Sequence, residues 1–319
     1  SMIVVIFNSL PLSWYTRYTE KGGVMNNQNY FLVRCMYVIL MGLGFPIMRY
    51  MSLNFDTLNN NAIRFISGGV IFCIVCLLKY NNHLKNINIK TILLLFVLSI
   101  FMTCNMFFFI NGIKHTSALS GSIFSILAMP LGILVASLFF IDERERALSY
   151  KFITGSLIAI IGSFIFVFNG YSLDSGSFSY TGFIFLTIAI CIQSIQNVIV
   201  KIVAQYLPAI VISASTATIS GLMFLLLAIK TGVITELSVT SKELLIYLVL
   251  AGIYGMMTGM LMAFYIVKTQ GVTIFNITQL LIPVSTGIFG YITLGEKVDL
   301  IQATGAVIII AGCIFATKR

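Results

Sequence analysis

Residues 130–146 read PLGILVASLFFIDERER, and residues 283–299 read PVSTGIFGYITLGEKVD. In both stretches a proline stands 13 residues before a glutamate, and the residues between them are almost all apolar or small. The two prolines, Pro130 and Pro283, lie 153 residues apart in a chain of 319 residues. The repeated pattern indicates that the chain is built from two related halves.

Glycines repeat the same duplication. Gly155 and Gly162 stand seven residues apart, as do Gly305 and Gly312. Seven residues are about two helical turns, so each pair lies on one face of its helix. Each Pro-to-Glu stretch is therefore followed by a helix with glycine on one face. Two further matches fall at nearly the same separation: Gly42 with Ser194, and Arg49 with Lys201.

The composition places the chain in a lipid bilayer. Apolar residues make up 59% of it and charged residues only 9%, whereas about a quarter of an average soluble domain is charged. Continuous apolar runs such as 153–168 exclude a transmembrane β-barrel, whose strands alternate apolar and polar residues. A helix needs roughly 20 mostly apolar residues to cross the hydrocarbon core. Ten segments are candidates for spans: 31–51, 61–78, 91–112, 118–141, 152–169, 179–200, 209–229, 243–267, 272–294 and 300–316.

We predict an all-α integral membrane protein with ten transmembrane helices, arranged as two five-helix repeats. Because each repeat has an odd number of spans, the second repeat enters the membrane from the opposite side, and the repeats have inverted topology. The first repeat is predicted at residues 31–169 and the second at residues 179–316. Residues 1–30 are predicted to form an N-terminal cytoplasmic segment, in which either Met2 or Met25 is the native start.

The distribution of Lys and Arg predicts the orientation. With the N-terminus in the cytoplasm, 13 of the 19 basic residues fall on the inner side and six on the outer side. The positive-inside rule then places both termini in the cytoplasm, and we expect the bacterial cytoplasmic (inner) membrane as the location. The basic residues are scattered over the loops without forming a patch, which argues against a nucleic-acid partner. The expected partners are membrane lipid and a small-molecule substrate, and a homo-oligomer is compatible with the sequence.

The sequence lacks the patterns of a catalytic or metal site. Its only histidines, His83 and His115, fall on opposite faces of the membrane in this topology. The six cysteines lie inside apolar spans, where small thiols commonly pack. We therefore expect no enzyme activity, no metal and no cofactor. A membrane enzyme or a non-transport polytopic membrane protein is the alternative from another class.

Several short motifs, taken in order, resemble one known family. They are Gly42-x-x-Phe45 followed by Arg49, then Ala62-Ile63-Arg64-Phe65, the proline and terminal glutamate of the fourth and ninth spans, and Gly295-Glu296 followed by Gln302, Gly305 and Gly312. Their order, spacing and duplication resemble the drug/metabolite transporter superfamily, EamA type, from about residue 31 to the end. The first span departs from that family in lacking a Trp before Gly42. The resemblance implies a ten-helix carrier that works by alternating access, with a central cavity lined by the first, third, fourth, sixth, eighth and ninth spans.

Polar side chains within the spans locate candidate cavity residues. Such side chains are costly in lipid and usually face the bundle interior or a cavity. Gln193, Gln196 and Asn197 share one face of the sixth span, because their spacing is i, i+3, i+4. Interhelical hydrogen bonding is the alternative role for these amides. Further polar candidates are Asn105 and Ser125. Asn276 and Gln279 are also candidates, because they lie shortly before Pro283, where the proline leaves a backbone carbonyl without its helical donor.

Aromatic and basic residues complete the predicted substrate site. Phe45, Phe109 and Tyr265 are candidates for apolar walls, which suit a medium-sized organic solute. Arg49 lies in the outer part of the first span. It either attracts a substrate carboxylate or extends to the outer interface.

Two other patterns are expected to be structural. Gly255 and Gly259 stand four residues apart, a spacing that predicts close helix packing. Two glutamates, Glu143 and Glu296, are expected to cap helix ends or to pair with basic neighbours, Arg146 and Lys297 respectively.

Together these observations predict a secondary transporter of small organic metabolites. Export or exchange of amino acids or related metabolites is favoured, and uptake of a cationic or nucleoside-like metabolite is the alternative. No Asp, Glu or His falls near the middle of any predicted span, so a proton relay at the midplane is not expected. A channel is disfavoured because no ring of repeated polar or charged residues is visible.

Overall fold

The structure is a computed structural model, and it describes residues 27–79, 88–169, 180–270 and 272–317. Those residues form helices and the short connections between them, without a β-strand. Nine of the helical elements are long and apolar enough to cross a membrane, and a tenth, at the C-terminal end of the described chain, is apolar and shorter. The predicted segment 1–30 lies outside the described residues except for 27–30, which begin the first helix.

The ten elements, α1–α10, follow the predicted spans closely. The first repeat contributes α1 (Asn27–Asn54), α2 (Thr57–Lys79), α3 (Ile89–Lys114), α4 (Ala118–Ser137) and α5 (Tyr150–Asn169). The second contributes α6 (Tyr180–Val203), α7 (Ala209–Thr231), α8 (Lys242–Met256, the π-helical Met257–Met262, and Ala263–Gln270), α9 (Val272–Gln279 and Ile282–Leu294) and α10 (Leu300–Thr317). Short helices at Ile141–Ala147, Val233–Thr235 and Glu236–Val239 lie in the connections. The predicted all-α class with two inverted five-helix repeats is confirmed.

Short polar and glycine signals set the helix ends. The Ser117 hydroxyl accepts a hydrogen bond from the Ser120 N–H, and this N-cap starts α4. The Ser241 hydroxyl does the same for α8 with the Leu244 N–H. Gly295 ends α9 with φ of 67°, in the left-handed region that glycine adopts without steric cost.

The four repeated glycines bring α5 and α10 into backbone contact. A methyl group added at Gly155 would overlap the backbone of Ala316, and one at Gly312 would lie 2.5 Å from the Ala159 nitrogen. Gly162 and Gly305 are equally close to the facing helix. Small residues allow transmembrane helices to approach this closely. The sequence repeat therefore becomes a contact between the last helix of each half.

Two pairs of equivalent helices differ in structure between the repeats. Helix α3 is continuous, whereas its counterpart α8 contains the π-helical turn Met257–Met262. Helix α4 is continuous through Pro130, whereas its counterpart α9 is interrupted between Gln279 and Ile282. Both irregular helices belong to the second repeat, and both lie beside the cavities described next.

Candidate functional site

A cavity of about 570 Å³ lies between α1, α4, α6 and α9. It reaches from the middle of the bundle to one end, where Ala136 of α4 and Lys201 of α6 line it. Small organic ligands usually occupy cavities of roughly 300–1,000 Å³ with apolar walls and a few polar groups. Six of the predicted substrate residues line this first cavity: Phe45, Ser125, Gln193, Asn197, Asn276 and Gln279.

Helix α6 supplies two of these amides. Gln193 and Asn197 are one turn apart and share a face, and Gly132 of α4 leaves room for them. A Cβ at Gly132 would lie 3.9 Å from the Asn197 Nδ2 atom. Gln196, the third amide of the predicted stripe, is half-buried and lines neither this cavity nor the second one. Only part of the predicted stripe therefore faces the cavity.

The interruption of α9 positions Asn276 and Gln279. The first segment of α9 ends at Gln279, and Pro283 lies in the first turn of the next segment. Proline has no N–H, so the Gln279 carbonyl lacks the donor that an unbroken helix would supply from position 283. The Gln279 side chain also lies beside Tyr37 of α1. Gln279 thus lines the cavity where α9 meets α1.

A second cavity, of about 280 Å³, lies between α1, α2, α3 and α8 and adjoins the first. Phe45, Ser125 and Gln193 line both cavities. Two further predicted residues, Asn105 and Phe109 of α3, line the second. The rings of Phe45 and Phe109 meet edge-on, with their centroids 6.4 Å apart.

The second cavity also contains Arg64 of α2, which the sequence analysis did not place in the site. Its Nε and Nη1 atoms are buried and have no hydrogen-bond partner within the described part of the chain. The signal in the sequence was its depth: Arg64 lies seven residues inside α2, two turns from the helix end. Charged residues at such depth usually face a cavity or the bundle interior.

Helix α8 forms the wall opposite Arg64, and here the expected close packing at Gly255 and Gly259 is wrong. A Cβ at Gly255 would lie 3.8 Å from the Arg64 Nη2 atom, and one at Gly259 would lie 4.0 Å from the Met41 Sδ atom. Both glycines line the cavity instead of closing it. Close packing occurs nearer the start of α8, where a Cβ at Gly252 would lie 2.5 Å from the Arg64 carbonyl oxygen.

The opposite end of the bundle is closed by a contact between the repeats. Arg49 of α1 donates hydrogen bonds to the carbonyls of Ile113 and Lys114 at the C-terminus of α3. Its Nε atom lies 3.5 Å from the Glu296 carboxylate. Glu296 in turn accepts bonds of 2.9 and 3.1 Å from the Ala118 N–H at the start of α4. The positive group at a helix C-terminus and the negative group at an N-terminus both match the helix dipoles.

Arg49 therefore lines neither cavity, and with a side chain only 10% exposed it is held inside the bundle. Glu296 caps a helix as expected, but its basic partner is Arg49 of the other repeat, not the adjacent Lys297. Burial raises the pKa of Glu296, while the Ala118 N–H and the Arg49 charge oppose that shift. Tyr265 is also buried and lines neither cavity.

The other features of the described residues are the cysteines and a further cavity. Within the described residues, no three His, Cys, Asp or Glu side chains are placed to hold a metal ion, and the six cysteines form no disulfide with one another. A third cavity, of about 780 Å³, lies between α4, α5 and α6. Exposed Leu134, Phe164 and Phe168 line it, so it is an apolar groove on the side of the bundle.

The inverted repeats and the two adjoining cavities are features of a polytopic membrane transporter. The model of the EamA-like transporter family matches residues 29–168 and again residues 180–318. The chain belongs to the EamA-like transporter family, which lies within the superfamily that the motifs resemble.

Two relatives were found by sequence, and a solved structure shares the fold. The chain is 58% identical over 301 residues to an uncharacterized transporter of Haemophilus influenzae, covering 92% of this chain and 98% of the relative. It is 25% identical over 255 residues to a WAT1-related chloroplastic protein of Arabidopsis thaliana, covering 77% and 59% of the two chains. A solved crystal structure has the same fold, with a TM-score of 0.55 at 15% identity over 91% of this chain and 98% of that chain.

Proposed function

We propose that the protein is a secondary transporter that moves small organic metabolites by alternating access. Amino acids or related metabolites are the cargo, in export or exchange. One observation carries the proposal: two adjoining cavities with amide side chains reach one end of the bundle, while Arg49 and Glu296 close the other end. A carrier needs a solute site that is reached from one side at a time.

The lining of the cavities supports this class of cargo. Amide side chains both donate and accept hydrogen bonds, so the few that are present can orient a solute with both kinds of group. The walls around them are largely apolar, including Phe45, Met129 and Phe275, which suits a medium-sized organic solute. Sugars or phosphates would require more donors. No described Asp or Glu lines either cavity, which disfavours a cationic metabolite.

The repeats supply the means to alternate. Because the second repeat is inverted, each element at the closed end has a counterpart at the open end. When the repeats exchange arrangements, the open end closes and the closed end opens around the same amide residues. With both termini in the cytoplasm of a bacterium, as the Lys and Arg distribution predicts, the open end faces the cytoplasm.

Solute counterflow tests the proposal. The purified full chain is reconstituted into liposomes loaded with a mixture of unlabelled L-amino acids, and entry of a labelled amino acid is measured. We expect protein-dependent entry that requires an unlabelled amino acid inside. Absence of exchange for every amino acid and related metabolite tested would refute the proposed cargo. Conversion of the labelled solute into a new compound would indicate an enzyme instead.

A matched pair of variants gives this assay its internal control. Asn197→Leu removes an amide that lines the first cavity, whereas Gln196→Leu removes the neighbouring amide that lines neither cavity. We expect Asn197→Leu to reduce exchange and Gln196→Leu to leave it near the level of the unchanged protein. Equal losses would show that exchange does not depend on the cavity.

A further inference from the structure

Arg64 is a charged residue inside the bundle that belongs neither to the contact at the closed end nor to the first cavity. Its guanidinium lies in the second cavity, and its Nε and Nη1 atoms are buried without a hydrogen bond among the described residues. The salt bridge found in the described chain joins Arg49 to Glu296, not Arg64 to an acid. Arg64 is thus a buried positive charge without a protein counterion in the described region.

Such an arrangement is unfavourable for the ligand-free protein. A buried charge without a partner is strongly unfavourable, and within a bilayer charged side chains mark substrate or ion paths. A residue kept only for packing would be better replaced by an apolar one. Gly255 has no side chain beside the guanidinium, and a Cβ there would be in ordinary contact with it, 3.8 Å from the Arg64 Nη2 atom. The glycine therefore leaves a methyl-sized space next to the Arg64 donors.

The other polar groups of the second cavity indicate which chemical group of a ligand could approach the Arg64 guanidinium. The hydroxyls of Ser125, Tyr254 and Thr258 already donate to the carbonyls of their own or a neighbouring helix. Asn105 donates from Nδ2 to the Ala189 carbonyl at 3.0 Å, which fixes its orientation and leaves Oδ1 buried without a partner. Apart from the Gln193 amide, which also lines the first cavity, the groups left to bind a solute here are the donors of Arg64 and one acceptor, the Asn105 Oδ1 atom.

We propose that Arg64 binds the carboxylate of the transported solute in the second cavity. A guanidinium presents N–H groups in a fork that matches a carboxylate. The Asn105 Oδ1 atom accepts a hydrogen bond from a donor of the same solute, and the solute's body extends past Phe45 into the larger first cavity. This inference rests on the proposed transport function and adds to it an acidic or zwitterionic class of cargo.

The test compares solutes that differ only in the carboxylate. The purified full chain is titrated with L-amino acids and, in parallel, with their methyl esters, and binding is followed by the rise in melting temperature. The variants are Arg64→Gln, Arg64→Lys and a charge-matched control, Arg144→Gln. Arg144 is exposed and lines neither cavity. Counterflow of the same solutes is measured in liposomes.

The unchanged protein is expected to bind at least one amino acid about tenfold or more tightly than its ester. Arg64→Gln should raise the Kd for that acid by about 10- to 100-fold, the loss expected for a hydrogen bond to a charged group, and should change the Kd for the ester much less. Arg64→Lys keeps the charge but not the fork of N–H groups, so its Kd for the acid should lie between those of the unchanged protein and Arg64→Gln. Arg144→Gln should behave as the unchanged protein.

Three outcomes would overturn the inference while leaving transport intact. In the first, the unchanged protein would bind acid and ester with equal Kd. In the second, Arg64→Gln would raise the Kd of both equally. In the third, chloride alone would raise the melting temperature as much as the amino acid does. If no solute is bound or exchanged, the proposed function itself fails and the inference fails with it. Folding is checked with Arg64→Met. Because this change removes an unpaired buried charge, the ligand-free melting temperature should stay level or rise, whereas a structural arginine would lower it.

Discussion

The two ends of the bundle use matching positions of the two repeats but differ in arrangement. At one end Arg49 joins the end of α3 to Glu296, which caps α4. At the other end Lys201, the sequence counterpart of Arg49, lines the first cavity with its Nζ atom 4.2 Å from the centroid of the Phe140 ring. Two equivalent positions thus have unlike surroundings in one molecule. Such asymmetry between inverted repeats is what one access state of a carrier requires.

The largest effect we predict is on the access of a membrane-impermeant thiol reagent to the two ends. In a cysteine-free background, a cysteine replacing exposed Lys297, beyond the closed end, should react in intact cells. A cysteine replacing Ala136, at the open end of the first cavity, should react only after the cells are permeabilised. The reverse pattern would show that the closed end faces the cytoplasm, contrary to the positive-inside rule.

Breaking the closed end is the next largest expected effect. Arg49→Met leaves the Glu296 carboxylate buried without its cation, so the free energy of unfolding should fall by about 3–5 kcal/mol. The fall is measured as a lower melting temperature in detergent. Adding Glu296→Gln removes the unpaired charge but keeps an acceptor for the Ala118 N–H, so the double variant should regain a large part of the loss. Additive losses would show that the two side chains are not coupled.

A smaller effect is predicted for the amides at the open end. Asn197→Ala should weaken solute binding by about 1–3 kcal/mol, because a polar group of the bound solute loses its partner. Its melting temperature without solute should change little, since Asn197 is exposed to the cavity. Gln196→Ala is the matched control and should leave binding unchanged. A fall in melting temperature with unchanged binding would assign Asn197 to helix packing.

The smallest effect concerns energy coupling. No Asp, Glu or His of the described chain lines either cavity, so an imposed pH gradient should cause little solute accumulation in liposomes with the membrane potential clamped. A charged solute should instead respond to the potential, by about 2.3 kcal/mol per charge per 100 mV. Strong accumulation that a protonophore abolishes would contradict this prediction. It would direct attention to Glu296, the buried carboxylate at the closed end.

Hydropathy and repetition were enough to predict the fold. Ten apolar segments gave the ten helices, and the glycine pairs correctly indicated a glycine face, which in the structure packs α5 on α10. The interruption of α9 and the π-helical turn of α8 were not predicted. Pro130 and Pro283 occupy matching sequence positions, yet only the second lies beside a break. A proline at this position is therefore not sufficient to interrupt the helix, and the surroundings that differ between the halves cannot be read from the repeated pattern.

The site was predicted less completely, for reasons of geometry. Helical spacing alone groups residues of one helix, so it placed Gln196 with Gln193 and Asn197, although only the latter two line the cavity. The partner of Glu296 was sought at adjacent Lys297, whereas Arg49 comes from the other repeat. Arg64 was not among the predicted site residues because nothing in the sequence shows which residues of α8 stand opposite it.

The glycine contact between α5 and α10 has a practical consequence for work on this protein. Because each helix presents the same spaced glycines to the other, the contact is alike when viewed from either repeat. In the proposed exchange of arrangements between the two halves, this contact is therefore expected to stay unchanged. Substitutions or cross-links that strengthen this contact should raise stability in both access states equally. Thermostabilised variants intended to keep full turnover are best sought there, and not at the α1–α9 contact, where Gly42 meets Ser285.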